Sequence, residues 1–414
     1  MTEALQGKGI SGGFAAIFAD DRRFWRWSAV ILGVVAFLKG VHLPNLWAAT
    51  QAQVDYRDGF VKRGLFGEVL SRPLHLYHYA AFARFSFAIL FLMILLLVVY
   101  VLRSGLLERA GNGEVLAVFS ASYAVTYLAS LAGYFDILLA AITIGLLLIR
   151  NDTLRMMLGL PLCIAGVLIH ESFLIVFLPV LLLSFGLSAL SGKDEKACRR
   201  SAWKGAVLLI VTVCTALRTA AHASLGPAKI QAMEDQIAAR TDFLPRPDFF
   251  QVMGLSFAAN VHIMVRLISR PGWAYTQMVS CIVFLPTVIL LLLAARQILG
   301  SAKSIREPVG MGMVLLAAVC PLAMHFLGWD VARWNALFVF NVFLVLLTVC
   351  AFTRGEHVAL SPAWRRGAVL AIALSMASGE LLMYGVRVNN FPFSNAAVQT
   401  IMTTRHHGWT APAQ

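Results

Sequence analysis

The stretch YRDGFVKRGLFG, residues 56–67, sets Asp58 among Arg57, Lys62 and Arg63, with Asp55 two positions before Arg57. Cations gathered this way can grip a phosphate, and a carboxylate kept ionised beside them can take a proton from an acceptor hydroxyl. A plainer reading is a surface ion pair, since Asp58 and Lys62 stand four apart and such pairs are worth only about 0.2–0.5 kcal/mol. Gly59, Gly64 and Gly67 suit either reading, as residues that permit turns or close approach.

Three other places carry the same residue types. GYFD at 133–136 holds Asp136, HES at 170–172 holds His170 and Glu171, and MHFLGWDVARW at 324–334 holds His325, Asp330 and Arg333. Asp330 and Arg333, three apart, can simply neutralise each other, with Trp329 and Trp334 as interfacial anchors, and a lone His325 in an apolar run commonly packs. His170 and Glu171 resist that explanation. Two adjacent ionisable groups between apolar runs serve no solubility purpose and cost about 2.5–3.5 kcal/mol each at a bilayer centre, less near its surface. His406 and His407 have no third ligand nearby and give a weak metal signal.

The elements that must position these residues are membrane spans. Of 414 residues, 59% are hydrophobic and 13% charged, which excludes a soluble domain with a polar surface. The net charge of +13 is scattered among short connections rather than gathered on one module, so no nucleic-acid partner is expected. Of the six cysteines, five lie in apolar segments and Cys198 in a basic connection, giving neither a disulfide framework nor zinc spacing. The first 27 residues show no apolar core followed by a small-residue cleavage site, so the first span is expected to be an uncleaved anchor.

With about 20 apolar residues needed to cross a bilayer, roughly eleven spans are expected. They are 28–46, 80–102, 114–132, 136–150, 156–170, 172–188, 205–221, 274–296, 309–327, 335–352 and 367–386. This predicts an all-α, polytopic bundle over 28–386, with a cytoplasmic tail at 1–27, a periplasmic tail at 387–414, and amphipathic helices in the first and fourth outer loops. The segment 250–273 reads as an interfacial or re-entrant helix, because His262, Arg266 and the Arg270-Pro271-Gly272 break interrupt its apolar run. Basic residues then fall in six inner connections, around Arg22, Arg103, Arg150, Lys193, Arg296 and Arg354. All the chemistry-bearing clusters fall on the outer face.

No nucleotide-binding loop is present, and activated groups outside the cytoplasm are typically carried on lipids. A carboxylate in the first external loop just after span one, an amphipathic segment after it, and about eleven spans with short inner connections resemble the GT-C superfamily of integral membrane glycosyltransferases. The resemblance implies a polyprenyl-phosphate sugar donor, a glycan or glycolipid acceptor, and a first-loop Asp as base, which maps onto Asp58 or Asp55. It further implies Arg57, Lys62, Arg63 and Arg333 as phosphate contacts, with Asp136, His170, Glu171, His325 and Asp330 about the acceptor or a divalent cation. DYRD replaces a D-x-D or E-x-D pair and no large external domain is present, so no metal ligand is assigned. The expected site is the periplasmic face of a bacterial inner membrane.

Two alternatives stay open. A polymerase or ligase acting on polyprenyl-diphosphate oligosaccharides would use external cations such as Arg240, Arg246 and Arg266. A transporter or flippase would use the charges as a relay, although no internal repeat is visible and the charges sit at span ends.

Overall fold

The computed structural model describes residues 21–57, 59–111, 113–192, 194–222, 224–301, 307–353, 357–378, 381–382 and 385–386. Asp58 and the tail 387–414 lie outside the described residues. The architecture is all-α; among the described residues the sole strand pairing joins Leu381–Leu382 to Gly385–Val386.

Helix α1 spans Asp21–Gly40 and is followed by the short α2, Leu46–Gln51. The long α3, Tyr79–Ser104, runs into α4, Leu106–Arg109. Next come α5 (Glu114–Ala121), α6 (Tyr123–Ser130), α7 (Phe135–Leu147), α8 (Asp152–Ile169), α9 (Phe173–Val176), α10 (Leu178–Leu190) and α11 (Glu195–Ala221). The segment expected to be the fourth outer loop forms α12 (Pro227–Arg240), α13 (Pro247–Gly254) and α14 (Phe257–Ile268). The chain finishes with α15 (Pro271–Ser301), α16 (Glu307–Val319), a 3-10 turn at Cys320–Phe326, α17 (Val331–Phe352) and α18 (Pro362–Ala377).

Among the described residues seven helical stretches are long and apolar enough to cross a membrane, or up to nine if each of two bent pairs counts as one. The difference from the eleven expected has physical causes. Helix α1 carries Arg22, Arg23, Arg26 and Lys39 within 20 residues, α18 has only 16 residues, and the run 114–132 breaks at Ser122 into α5 and α6. Helices α6 and α7 meet at 117°, as do α13 and α14, so the segment 250–273 holds a sharp bend rather than a straight rod.

Helix α17 is the axis of the bundle. Every residue from Val331 to Cys350 is buried, as a helix that is apolar all round must be, and it packs against α3, α6, α10, α15 and α16. The outer helices turn bare apolar side chains outward, among them Phe91, Leu95 and Leu102 on α3 and Ile210 and Leu217 on α11. Such a surface suits hydrocarbon rather than water.

Cations fasten the end of α17 marked by Phe352. Arg109 donates to the Cys350 and Thr353 carbonyls at 2.9 Å each, and Arg155 lies over the Phe185 and Phe352 rings while donating to Asp152. Part of the basic excess is therefore bound up in closing helix ends. Lys39 does the same for α18, donating to the carbonyls of Ser375, Met376 and Ser378.

Candidate functional site

At the opposite end of α17 the bundle opens into a cavity of about 750 Å³. Its charged lining comes from four separate elements. Lys62 and Arg63 arrive from the 41–78 connection, His170 and Glu171 from the break between α8 and α9, Arg246 and Asp248 from the start of α13, and Asp330 and Arg333 from the start of α17. Leu174 and Ile175, Val213, Ala216 and Leu217 of α11, and Val252, Leu255 and Phe257 supply the apolar part of the lining.

The connection 41–78 folds back on itself to deliver its cations. Asn45 caps α2 by accepting from the Ala48 amide at 2.9 Å, and Gly67 follows the turn because a Cβ there would overlap the Val54 carbonyl. Arg63 sits at φ +65°, the left-handed region that costs a non-glycine residue about 1 kcal/mol or more. That backbone aims its guanidinium at Glu171, where Nε donates to Oε2 at 2.9 Å and Nη2 donates to Oε1. A strained backbone holding a bidentate clamp marks a built feature rather than a casual loop.

Arg333 is the best-fixed cation of the site. Its Nε donates to Asp136 at 2.9 Å, Nη2 lies 2.6 Å from the same carboxylate, and Asp330 approaches at 3.4 Å. The guanidinium is further sandwiched, 4.8 Å from the Tyr134 ring and 4.6 Å from the Trp334 ring. Arg246 makes the second bidentate pair, with Asp248, at 2.9 and 2.8 Å.

Lys62 differs from these three. Among the described residues no carboxylate lies within ion-pair distance of it, and its ammonium donates to the Val252 carbonyl at 3.0 Å. Burial, and then the neighbouring Arg63, lower its pKa to about 8 against the opposing pull of Glu171. Burial alone would raise the Glu171 carboxyl, but Arg63 and the other cations hold it well below the usual carboxylate range.

Six expected site residues therefore line one cavity: Lys62, Arg63, His170, Glu171, Asp330 and Arg333. Asp136 is fully buried and touches the site only through Arg333. His325 lies outside the lining. Its Nε2–H donates to Asn335 Oδ1 at 2.9 Å, Asn335 in turn donates to Gln277, and the ring is nearly enclosed, which is the packing role a lone His in an apolar run commonly takes.

Asp55 and Arg57 also lie outside. Asp55 accepts from Arg240 Nη1 at 2.8 Å and from Arg57 Nε at 3.1 Å, beside a separate hollow of about 60 Å³ against α12. Asp58 lies outside the described residues, four positions before Lys62.

Sequence reasoning did not find Asp248, Asn45, Trp47 or Asn260, and it named Arg246 only under the polymerase alternative. Arg246-Pro247-Asp248 ahead of an amphipathic run was the readable signal. No three His, Cys, Asp or Glu side chains among the described residues come together as a metal site, so no chemical step is assigned to a cation. The chain matches no protein-family model, no curated protein and no solved structure.

Proposed function

We propose that this protein is an integral membrane glycosyltransferase of the GT-C kind, which takes a sugar from a polyprenyl-phosphate carrier at the outer face of a bacterial inner membrane. One observation carries the reading. A single cavity joins a cluster of cations to an apolar lining in a chain whose outer helices suit lipid, so it matches a ligand with an anionic head and a hydrocarbon tail. The acceptor would be a glycan or glycolipid, with N-terminus and basic connections on the cytoplasmic side.

In this reading Lys62 and Arg333 hold the phosphate as it becomes the leaving group, because charge develops there in the transition state. Asp58 remains the proposed base. Asp55 is a poorer candidate, since two guanidinium groups already crowd its Oδ2 and it lies outside the cavity. Arg63 and Glu171 form one wall of the head region, and Asp330 faces the acceptor side.

Charge favours a monophosphate carrier. Lys62, Arg63, Arg246 and Arg333 are met by Glu171, Asp248, Asp330 and the buried Asp136, so the site is close to neutral before a ligand enters. Among the described residues Lys62 alone of these four cations has no carboxylate within ion-pair distance, which suits the single charge of a phosphodiester. The position of Arg246 in the lining is the one observation for the second reading, a polymerase or ligase working on polyprenyl-diphosphate oligosaccharides.

Native mass spectrometry of protein extracted gently from its own membrane tests the proposal. A bound polyprenyl monophosphate or its sugar conjugate, lost in Lys62→Met, supports it. A bound diphosphate oligosaccharide lost in Arg246→Ala moves the assignment to the second reading, and bulk phospholipid alone sinks both.

A further inference from the structure

His170 ends α8 with an extended backbone, φ −161° and ψ 126°, which turns the chain out of the helix and into the cavity lining. Its ring is 3% exposed, so it is an almost enclosed side chain at the edge of a polar site. The Ser172 amide donates to Nδ1 at 3.1 Å. Only an unprotonated ring nitrogen can accept, so this contact assigns the ring proton to Nε2. Glu171 does not compete: its nearest oxygen is 3.9 Å from Nδ1, beyond hydrogen-bond reach, and both its oxygens are taken by Arg63.

The charged groups facing the imidazole come from three elements. Arg63 and Lys62 face it from the 41–78 connection, Arg333 from α17, and Glu171 from its own turn. Three cations against one carboxylate oppose a fourth positive charge. Burial first, and then Arg63, keep the ring's pKa well below its ordinary value.

We propose that His170 is a neutral imidazole of fixed tautomer whose Nε2–H donates to a phosphate oxygen of the carrier headgroup beside Lys62, rather than a general acid or base. The headgroup's identity rests on the glycosyltransferase reading; the tautomer and the donor role rest on Ser172 and the cavity. A neutral donor here orients the phosphate without adding charge to a site whose cations and carboxylates already balance. The Ser172 amide fixes the ring's direction before the ligand arrives, so little orientational freedom is lost on binding.

The test uses the full chain in lipid nanodiscs, with ¹⁵N-histidine spectra in which the His170 signal is identified by its loss in His170→Gln. Spectra are taken from about pH 5 to about pH 8, the range in which an ordinary imidazole titrates. Probes are a polyprenyl monophosphate and, separately, inorganic phosphate. The expected result is an Nε2-protonated ring throughout, with an Nε2 shift on adding the polyprenyl probe. Affinity in His170→Gln, which keeps a donor near that position, should stay within about threefold, while His170→Phe loses about tenfold.

A ring that titrates near its ordinary pKa overturns the proposal, and so does a His170→Phe protein that binds the carrier as the wild type does. In both cases wild-type binding leaves the carrier reading standing. A shift with inorganic phosphate but not with the polyprenyl probe overturns the lipid headgroup as partner. A wild-type protein that binds neither probe removes the carrier reading and the donor role together.

Discussion

Arg333, one turn into α17, is bound through Nε and Nη2 to a single oxygen of Asp136, a fully buried carboxylate at the start of α7. The pair ties the central helix to the α6–α7 bend and presents the guanidinium to the cavity. Charge buried this deeply is tolerated only while paired.

Asp136→Ala should therefore cost about 3–5 kcal/mol, because it strands a buried guanidinium. Asp330→Asn removes a carboxylate that is 44% exposed and 3.4 Å away, and should cost under about 1 kcal/mol. Denaturation midpoints in one detergent compare them. Equal losses would mean that Asp136 holds Arg333 no more firmly than Asp330 does.

Lys62 should make headgroup binding pH-dependent. Its amine has a folded-state pKa of about 8 against an ordinary 10.5, so the ammonium that attracts an anion is lost as pH rises through about 8. Affinity for a polyprenyl monophosphate should fall across that range in the wild type and stay flat in Lys62→Arg, since guanidinium does not titrate there. Stability should move the other way. Between about 8 and 10.5 the unfolded chain holds the proton more tightly, so the ligand-free protein gains stability as pH rises through that window, and Lys62→Met should lack this gain.

The charged residues of the cavity lining were legible in the sequence for a simple reason: charge in an apolar chain is conspicuous. His170 with Glu171, and Asp330 with Arg333, stood out on those grounds and line one cavity. Their pairing was not legible. Glu171 meets Arg63 across a separation of 108 positions, and nothing local to either residue names the other. Asp55 and Arg57, close in sequence to Lys62 and Arg63, pair with each other and with Arg240 of α12 beside a separate hollow, a partner that nothing local to Asp55 names. Composition and geometry part at Ser122, where a continuous apolar run is split between two helices.

Arg63 carries two separable loads, a clamp on Glu171 and a left-handed backbone. Arg63→Ala should lose the clamp and keep the backbone cost, whereas Arg63→Gly should lose the clamp and relieve about 1 kcal/mol of strain. The glycine variant is expected to be the more stable of the two and equally impaired in binding. A double-mutant cycle with Glu171→Ala should give a coupling of about 1–3 kcal/mol. A coupling near zero would show the bidentate contact to be incidental.

Asp55 and Asp58 separate by what each loses. With Asp55 held between Arg240 and Arg57, Asp55→Asn should release α12 from the 41–78 connection, appearing as a lower denaturation midpoint and faster proteolysis near Arg240. Its effect on turnover should follow that loosening and be partly restored at low temperature. Asp58→Asn, if the proposed base is correctly placed, should leave carrier binding intact while sugar transfer falls by about 10²–10⁴-fold, the usual contribution of a general base. Single-turnover transfer measured beside binding distinguishes them. Should Asp58→Asn bind and transfer normally while Asp330→Asn binds but does not transfer, the base would belong at the start of α17, beside the guanidinium that Asp136 holds in place.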